Sequence, residues 1–330
     1  MGDRDYAVVV GIADYAHFDC LEGPENDAKA VIDWLRDPDG GAVPEGQIHK
    51  MVSSEFPKEG EKRSRPMTDE VHGAFGTIRK LGVECDPEPV GRRLYIFMAG
   101  HGWAPAKREA ALFAANAEPR AHGFSVSGGK IADYFSDAEY FEEIILLMDC
   151  CRDRNATAED VPLRWDSVSG QGGKEPVWLY GYATGYSSRA REKPIDGVTR
   201  GLFTVAVLEA LRAGASTSSE LADLVRERMV ELMDKDDYQR PLFQGDNANE
   251  LDLGARGARV PLIVTLASAD RPMLVSIKRG GKLPSAGRRR LGPGESLEFT
   301  LRPGLYDVRC DQAGFSKLVS LTVEPVHVTI

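Results

Sequence analysis

The chain is short of cysteine, of aromatic residues and of long apolar runs, and each shortage excludes something. Five cysteines in 330 residues, odd in number and irregular in spacing, do not make a disulfide framework. The expected setting is therefore a reducing cytoplasm. No apolar run approaches the roughly 20 residues that a membrane-crossing helix needs, so no membrane role is expected. The stretch MGDRDYAVVVGIADY lacks the basic leader, long apolar core and small-residue cleavage site of a secretory signal. Its MG start is a poor myristoylation match, because Tyr6 stands where Ser or Thr is wanted. No His/Cys spacing suggests a metal site, and no cofactor is expected.

What is present is an ordinary globular composition, 42% hydrophobic and 28% charged, in two regions of different pattern. Residues 1–250 alternate short apolar runs with amphipathic stretches. YAVVVGI, QIHKMVSS, RRLYIFMAG, EEIILLMDCC and VWLYGYAT read as strands, several of them buried on both faces. NDAKAVIDWLRD places Ala28, Val31, Ile32 and Leu35 at helical spacing, with Asn26 as its N-cap. MTDEVHGAFGTIRKLG, GLFTVAVLEALRAG and SSELADLVRERMVELM read as further helices. Repeated βα units predict an α/β domain with a mostly parallel central sheet flanked by helices, whose active site lies beyond the carboxyl ends of its strands.

Residues 256–330 change to short alternating strands separated by Gly- and Pro-rich turns, which predicts a small all-β, sandwich-like domain. The charge changes with the pattern. This segment holds twelve Lys and Arg against six Asp and Glu, which leaves about sixteen net negative charges on the remainder of a chain whose net charge is −10.

Two predicted strands end in reactive side chains at the same edge of the sheet. Tyr95–Ala99 leads into Gly100-His101-Gly102, and Ile144–Asp149 leads into Cys150-Cys151. A histidine between glycines at a strand end is poorly placed for core packing, and the glycines let backbone and substrate approach closely. A thiol is a weak nucleophile until an imidazole stabilises its thiolate. A single Cys is more often core filler, and a lone strand-end His more often satisfied structure. The two together supply the parts for acyl transfer. The N–H groups of Gly102 and of the nucleophile's own residue are candidates for an oxyanion hole.

In these motifs the sequence resembles the caspase–metacaspase clan of cysteine proteases. VVVGIADY, LEGPENDAKAV, YIFMAGHGW, LLMDCC, YATGYSSRARE, GLFTVAVLEAL and QRPLFQGD stand in family order across residues 5–247. The caspase spacing of about fifty residues between His and Cys is also that between His101 and Cys151. The resemblance implies a caspase-like fold and a cysteine endopeptidase with His101 and Cys151 as its dyad. It maps the nucleophile to Cys151 and an S1 aspartate to Asp149. Side-chain alternation agrees, because Cys150 and Cys151 must point to opposite sides of an extended chain. Asp27, in GPENDA, matches a second family pocket aspartate, whereas its bland reading is an acid at a helix N-terminus.

Two carboxylates converging on one pocket favour a guanidinium. Cleavage after Arg is therefore expected, with Lys weaker because it cannot pair bidentately. Ala99 departs from the Ser that often precedes the Gly-His pair in metacaspases, which removes a pocket hydroxyl and leaves the Arg/Lys ratio open. Many metacaspases need calcium. WAPAKREAALFAAN, after His101, holds one acid and no Asp-x-Asp run, so calcium is not expected here.

The irregular stretch after Cys151 holds Arg152, Arg154, Arg164 and Lys174, candidate self-cleavage sites in the region where caspases are cut on maturation. For the basic C-terminal segment three uses compete: docking on the acidic domain, binding an anionic small-molecule activator, and contacting a partner protein. Stacking aromatics are scarce there, so nucleic acid is not expected. Some bacterial caspase-like proteins resemble effectors of antiphage defence switched on by a nucleotide signal, which frames a regulatory reading of that segment. The rival functions are an inactive caspase-like scaffold that binds partners and a redox or metal-binding Cys pair. Retention of both His101 and Cys151 weighs against the first, and the strain of a vicinal disulfide against the second.

Overall fold

The computed structural model describes residues 4–85, 88–119, 123–154, 163, 165–166, 168, 170, 175–215, 217–234, 239–245, 251, 253, 260–267, 270–279, 288–301, 304–321 and 325–330. Contacts divide the chain into two compact units, residues 1–255 and 256–330.

The first unit is built on a six-stranded sheet. Its strands are β1 (Asp5–Gly11), followed by helix α1 (Gly23–Arg36), and β2 (Ile48–Val52), followed by α2 (Thr68–Cys85). β3 (Gly91–Gly100) leads through three short strands, β4 (Gly102–Ala104), β5 (Ala111–Phe113) and β6 (Ser125–Ser127), into α3 (Gly128–Asp137). β7 (Phe141–Cys150) is followed by the two-residue β8 (Asp153–Arg154), then β9 (Val177–Tyr182) and a hairpin of β10 (Glu192–Ile195) and β11 (Val198–Gly201). α4 (Leu202–Arg212), α5 (Ser218–Leu232) and β12 (Leu242–Gln244) complete the unit. The sheet order is β12-β9-β7-β3-β1-β2, parallel throughout except for the antiparallel edge strand β12.

Alternation along the central strands sorts their side chains into two cores. Val8 and Val10, Leu94, Ile96 and Met98, and Ile144, Leu146, Met148 and Cys150 pack with α2 and α3. Ala7 and Val9, Tyr95, Phe97 and Ala99, and Ile145 pack with α1, α4 and α5. Burial on both faces explains why these strands read as unbroken apolar runs. It also fixes register, since a one-residue slip would exchange the two cores.

The pairing of β3 with β7 carries a constant offset. Gly91 opposes Phe141, Ala99 opposes Asp149 and Gly100 opposes Cys150. Beyond the main sheet the offset persists, for Trp103 opposes Asp153 and Ala104 opposes Arg154 in the parallel pair β4–β8. His101 and Cys151 lie between these two sets of rungs. Their fifty-residue separation in sequence is therefore the register of the ladder itself.

The second unit has two sheets, β16-β13-β19 and β15-β14-β17-β18. The strands are β13 (Val260–Thr265), β14 (Met273–Arg279), β15 (Arg288–Leu291), β16 (Ser296–Leu301), β17 (Gly304–Cys310), β18 (Phe315–Leu321) and β19 (Val326–Thr329). Leu262, Val264, Phe299 and Val328 of the first sheet share one apolar cluster with Val275, Ile277, Leu291, Val308 and Leu321 of the second. The unit is thus a small sandwich with its own core. Among the described residues no helix is long and apolar enough to cross a membrane.

Gly100 closes β3 with φ +150°, and a Cβ there would stand 2.4 Å from Tyr15 Oη and 2.9 Å from the Ile12 carbonyl oxygen. Gly100→Ala should therefore lower the unfolding free energy by about 2–4 kcal/mol in urea titrations. Gly73→Ala, in open space on α2, should instead stabilise by about 0.5–1 kcal/mol. Equal effects at the two positions would contradict this account of the strand end.

Candidate active site

The loop after β1 is fastened to the strand ends that carry His101 and Cys151. Ile12 N donates to the Ala99 carbonyl at 2.9 Å and Ala16 N to the Ala115 carbonyl at 2.9 Å. The Ser53 hydroxyl accepts from Ala13 N and Asp14 N at 3.1 and 3.2 Å. This loop supplies three groups to His101. The Tyr15 hydroxyl accepts from the His101 backbone N–H at 2.8 Å. The rings of Tyr15 and Phe18 flank the imidazole, at centroid distances of 4.7 and 5.5 Å. The Asp19 carbonyl lies 2.8 Å from Nε2.

A carbonyl oxygen only accepts, so in the neutral ring Nε2 carries the proton and Nδ1 is left with its lone pair. The imidazole is thereby oriented and set in the tautomer that can take a proton at Nδ1. Neither the aromatic pair nor the Asp19 carbonyl was foreseen from the sequence. A backbone acceptor leaves no residue-type signature to find.

The two cysteines separate. Cys150 is 1% exposed within the α2–α3 core. Its Sγ fills the space beside Gly102, where a Cβ would meet it at 2.7 Å. Cys151 is half-buried and its thiol points to the Ala190 carbonyl at 3.9 Å. Burial holds the Cys151 pKa above its usual value, so the resting thiol is protonated and needs a base to become a nucleophile. Among the described contacts the thiol and the imidazole are not hydrogen-bonded to each other: the thiol is directed at the Ala190 carbonyl and the imidazole at the Asp19 carbonyl.

Arg152 requires a correction. It was expected among the candidate cleavage sites of an irregular loop, but its side chain is fully buried. The guanidinium donates to the carbonyls of Lys107 at 2.7 Å, Glu109 at 3.1 Å and Thr184 at 3.1 Å, and lies over the Tyr182 ring at 4.7 Å. Its backbone also exchanges two 2.9 Å hydrogen bonds, Arg152 N to the Ser188 carbonyl and Ser187 N to the Arg152 carbonyl. A residue held this way cannot reach any protease without unravelling the site, and it instead fixes the chain directly after Cys151. Arg154 is in β8, opposite Ala104. Arg164 and Lys174 lie outside the described residues.

Asp27 and Asp149 are brought together. Asp27, on α1, is 2% exposed and Asp149, on β7, is 7% exposed. A Cβ on Gly201 would stand 2.2 Å from Asp149 Oδ2 and 2.7 Å from Asp27 Oδ2, so the two oxygens lie within about 5 Å of each other. Thr204 donates to Asp149 Oδ2 from its N–H at 3.0 Å and its hydroxyl at 2.7 Å. Gly201 N donates to Asp27 Oδ2 at 2.8 Å, and Arg200 Nε to Asp27 Oδ1 at 2.5 Å. A third carboxylate, Glu192, accepts from the N–H groups of Glu22 and Gly23 at the start of α1, at 3.3 and 3.0 Å. Burial first, and then the charge of Asp149, raises Asp27 to about 8 against the opposing pull of Arg200. Burial, against the Thr204 hydrogen bonds, raises Asp149 to about 6. The pocket is thus short of positive charge. Among the described residues no group of three or more His, Cys, Asp or Glu is placed to hold a metal ion.

No protein-family model matches the chain. A curated protein from a Desulfuromonadales bacterium, named a probable protease, is 27% identical over 237 residues, which cover 69% of this chain. The chain spans only 28% of that relative's length. Among solved structures, caspase-1 from Spodoptera frugiperda is similar with a TM-score of 0.48 and 11% identity, covering 74% of this chain and 86% of the caspase. The mostly parallel central sheet flanked by helices is the α/β architecture that the repeated βα pattern predicts.

The raised carboxyls set a pH dependence. Above the ordinary value of 3.8 and up to about 6, Asp149 keeps its proton in the folded chain after the unfolded chain has released it, so stability falls as pH rises through that window. Asp149→Asn keeps an oxygen for Thr204 and removes the charge. The variant should match the parent near pH 4 and exceed it at pH 8 by on the order of 1–3 kcal/mol in denaturant titrations. A variant less stable than the parent at pH 8 would refute the buried-charge cost.

Proposed function

We propose that the chain is a cysteine endopeptidase of caspase-like type that cleaves peptide bonds after arginine. The observation that carries this reading is the shared register: the ladder that pairs Gly100 with Cys150 resumes at Trp103 and Asp153, which sets His101 and Cys151 on neighbouring strand ends. The curated relative named a probable protease supports it.

In this mechanism a peptide lies across the strand ends with its P1 side chain in the Asp27–Asp149 pocket. His101 Nδ1 takes the Cys151 thiol proton, while the Asp19 carbonyl holds Nε2–H and stabilises the imidazolium. The thiolate attacks the P1 carbonyl carbon, and the developing oxyanion is met by the N–H groups of Gly102 and Cys151. The imidazolium returns its proton to the leaving amine, the C–N bond breaks, and a thioester remains on Cys151. Water, deprotonated by the same imidazole, hydrolyses it and regenerates the thiol. Arg152 contributes by holding the backbone after the nucleophile against three carbonyls, so the attacking sulfur is fixed without strain on the strand.

Cys151→Ala should lower kcat by at least about a thousandfold, and Cys150→Ala should retain turnover. In a P1 peptide library Arg should lead and Lys follow. Asp27→Asn and Asp149→Asn should each reduce kcat/KM for Arg by the equivalent of about 2–5 kcal/mol. Preference for Asp at P1, or activity that depends on Cys150 and not on Cys151, would refute the assignment.

A further inference from the structure

The acidic pocket already holds an arginine. Arg200 leaves the hairpin β10–β11 directly before Gly201, and its Nε donates to Asp27 Oδ1 at 2.5 Å. Its side chain is 18% exposed, and Nη2 is buried with no hydrogen-bond partner. A guanidinium has five donors in a fixed fork suited to two acceptors side by side. Arg200 therefore meets Asp27 through Nε alone and leaves Nη2 unanswered, while Asp149 Oδ2 is taken by Thr204. The internal arginine thus uses only part of its donor fork on the carboxylates.

The element that carries it stands apart from the central sheet. β10 and β11 form a two-stranded sheet of their own, outside the central sheet. Asp196 and Gly197 make its turn with φ of 50° and 81°, and Val198 at the tip is 47% exposed. Ile195 of β10 packs on the apolar core beside α1 and α4, whereas β11, which carries Arg200, is held by polar contacts: the Thr199 hydroxyl donates to Glu22 Oε2 at 2.7 Å, and Asn26 Nδ2 donates to the Thr199 carbonyl at 3.0 Å. Such contacts exchange readily with water, unlike a packed apolar face.

We propose that Arg200 is the specificity-determining occupant of this pocket, an internal arginine seated where the P1 arginine of a substrate binds and displaced by it. The inference rests on the reading of Asp27 and Asp149 as the arginine pocket. A second guanidinium beside the buried Asp27 would meet the like charge of Arg200 at close range, so a substrate binds the fraction of molecules whose Arg200 has left, and its apparent affinity falls by that fraction. Side chains without a guanidinium or ammonium group lack the charge to displace it. The occupant thus sharpens selection for strongly paired P1 residues.

The test is calorimetric titration of N-acetyl-arginine amide, a P1 fragment, into full-length Cys151→Ala protein with and without Arg200→Ala. Removal of the occupant should tighten binding about tenfold or more, and guanidinium ion at millimolar concentration should compete with the fragment in the Arg200→Ala protein only. Arg200→Lys should fall between the two. Arg200→Gln, which keeps an amide donor for Asp27 and removes the charge, should shift in the same direction should the alanine variant fail to fold. Binding by the parent that is equal or tighter than that of Arg200→Ala would overturn the occupant and leave the pocket standing, with Arg200 a prop for Asp27. Absence of fragment binding in every variant would overturn the pocket, and the occupant with it.

Discussion

The structure depends on the parallel ladder between β3 and β7. Both strands are buried on both faces, and their alternating side chains belong to two different cores, so neither strand can slip by one residue without placing each core's residues in the other. That constraint fixes the fifty-residue offset from Gly91–Phe141 to Gly100–Cys150. The chemistry at the strand ends inherits a position paid for by hydrophobic packing well below it. The same alternation separates the adjacent thiols, one to the α2–α3 core as filler, the other to the rim.

A second constraint is electrostatic. Asp27, Asp149 and Glu192 gather around Gly201, whose missing side chain makes room for the first two. Backbone and hydroxyl donors answer part of each charge, and Arg200 answers one edge of one of them. Burial, against these donors, keeps the two carboxyls above their ordinary pKa, an arrangement that costs stability once they are charged.

The apolar runs made the central strands and the helices α1, α2, α4 and α5 legible in the sequence, since burial on two faces and helical spacing leave strong patterns. That Cys150 and Cys151 point to opposite sides followed from alternation, whereas which of them faces the core came from the resemblance. The three-residue strands β4 to β6 were too short to carry a period, and α3 opens on two glycines that argue locally against a helix. Arg152 was misread because a basic residue after a strand end usually faces water; only coordinates show three carbonyls converging on it. Arg200 had no signature either, because its partner Asp27 lies 173 positions upstream and no spacing links the two. The groups that orient His101 are a backbone carbonyl and two rings eighty or more positions upstream, linked to it by tertiary fold and not by spacing.

The central claim is that one of two adjacent thiols is chemically distinct because an imidazole on the neighbouring strand can deprotonate it. Labelling with a peptidyl-arginine electrophile, followed by mass mapping of the adduct, tests this directly. The account predicts a single adduct on Cys151, formed far more slowly in His101→Ala, with Cys150 unlabelled in the folded protein. An adduct on Cys150, or labelling of Cys151 at an unchanged rate without the imidazole, would contradict it.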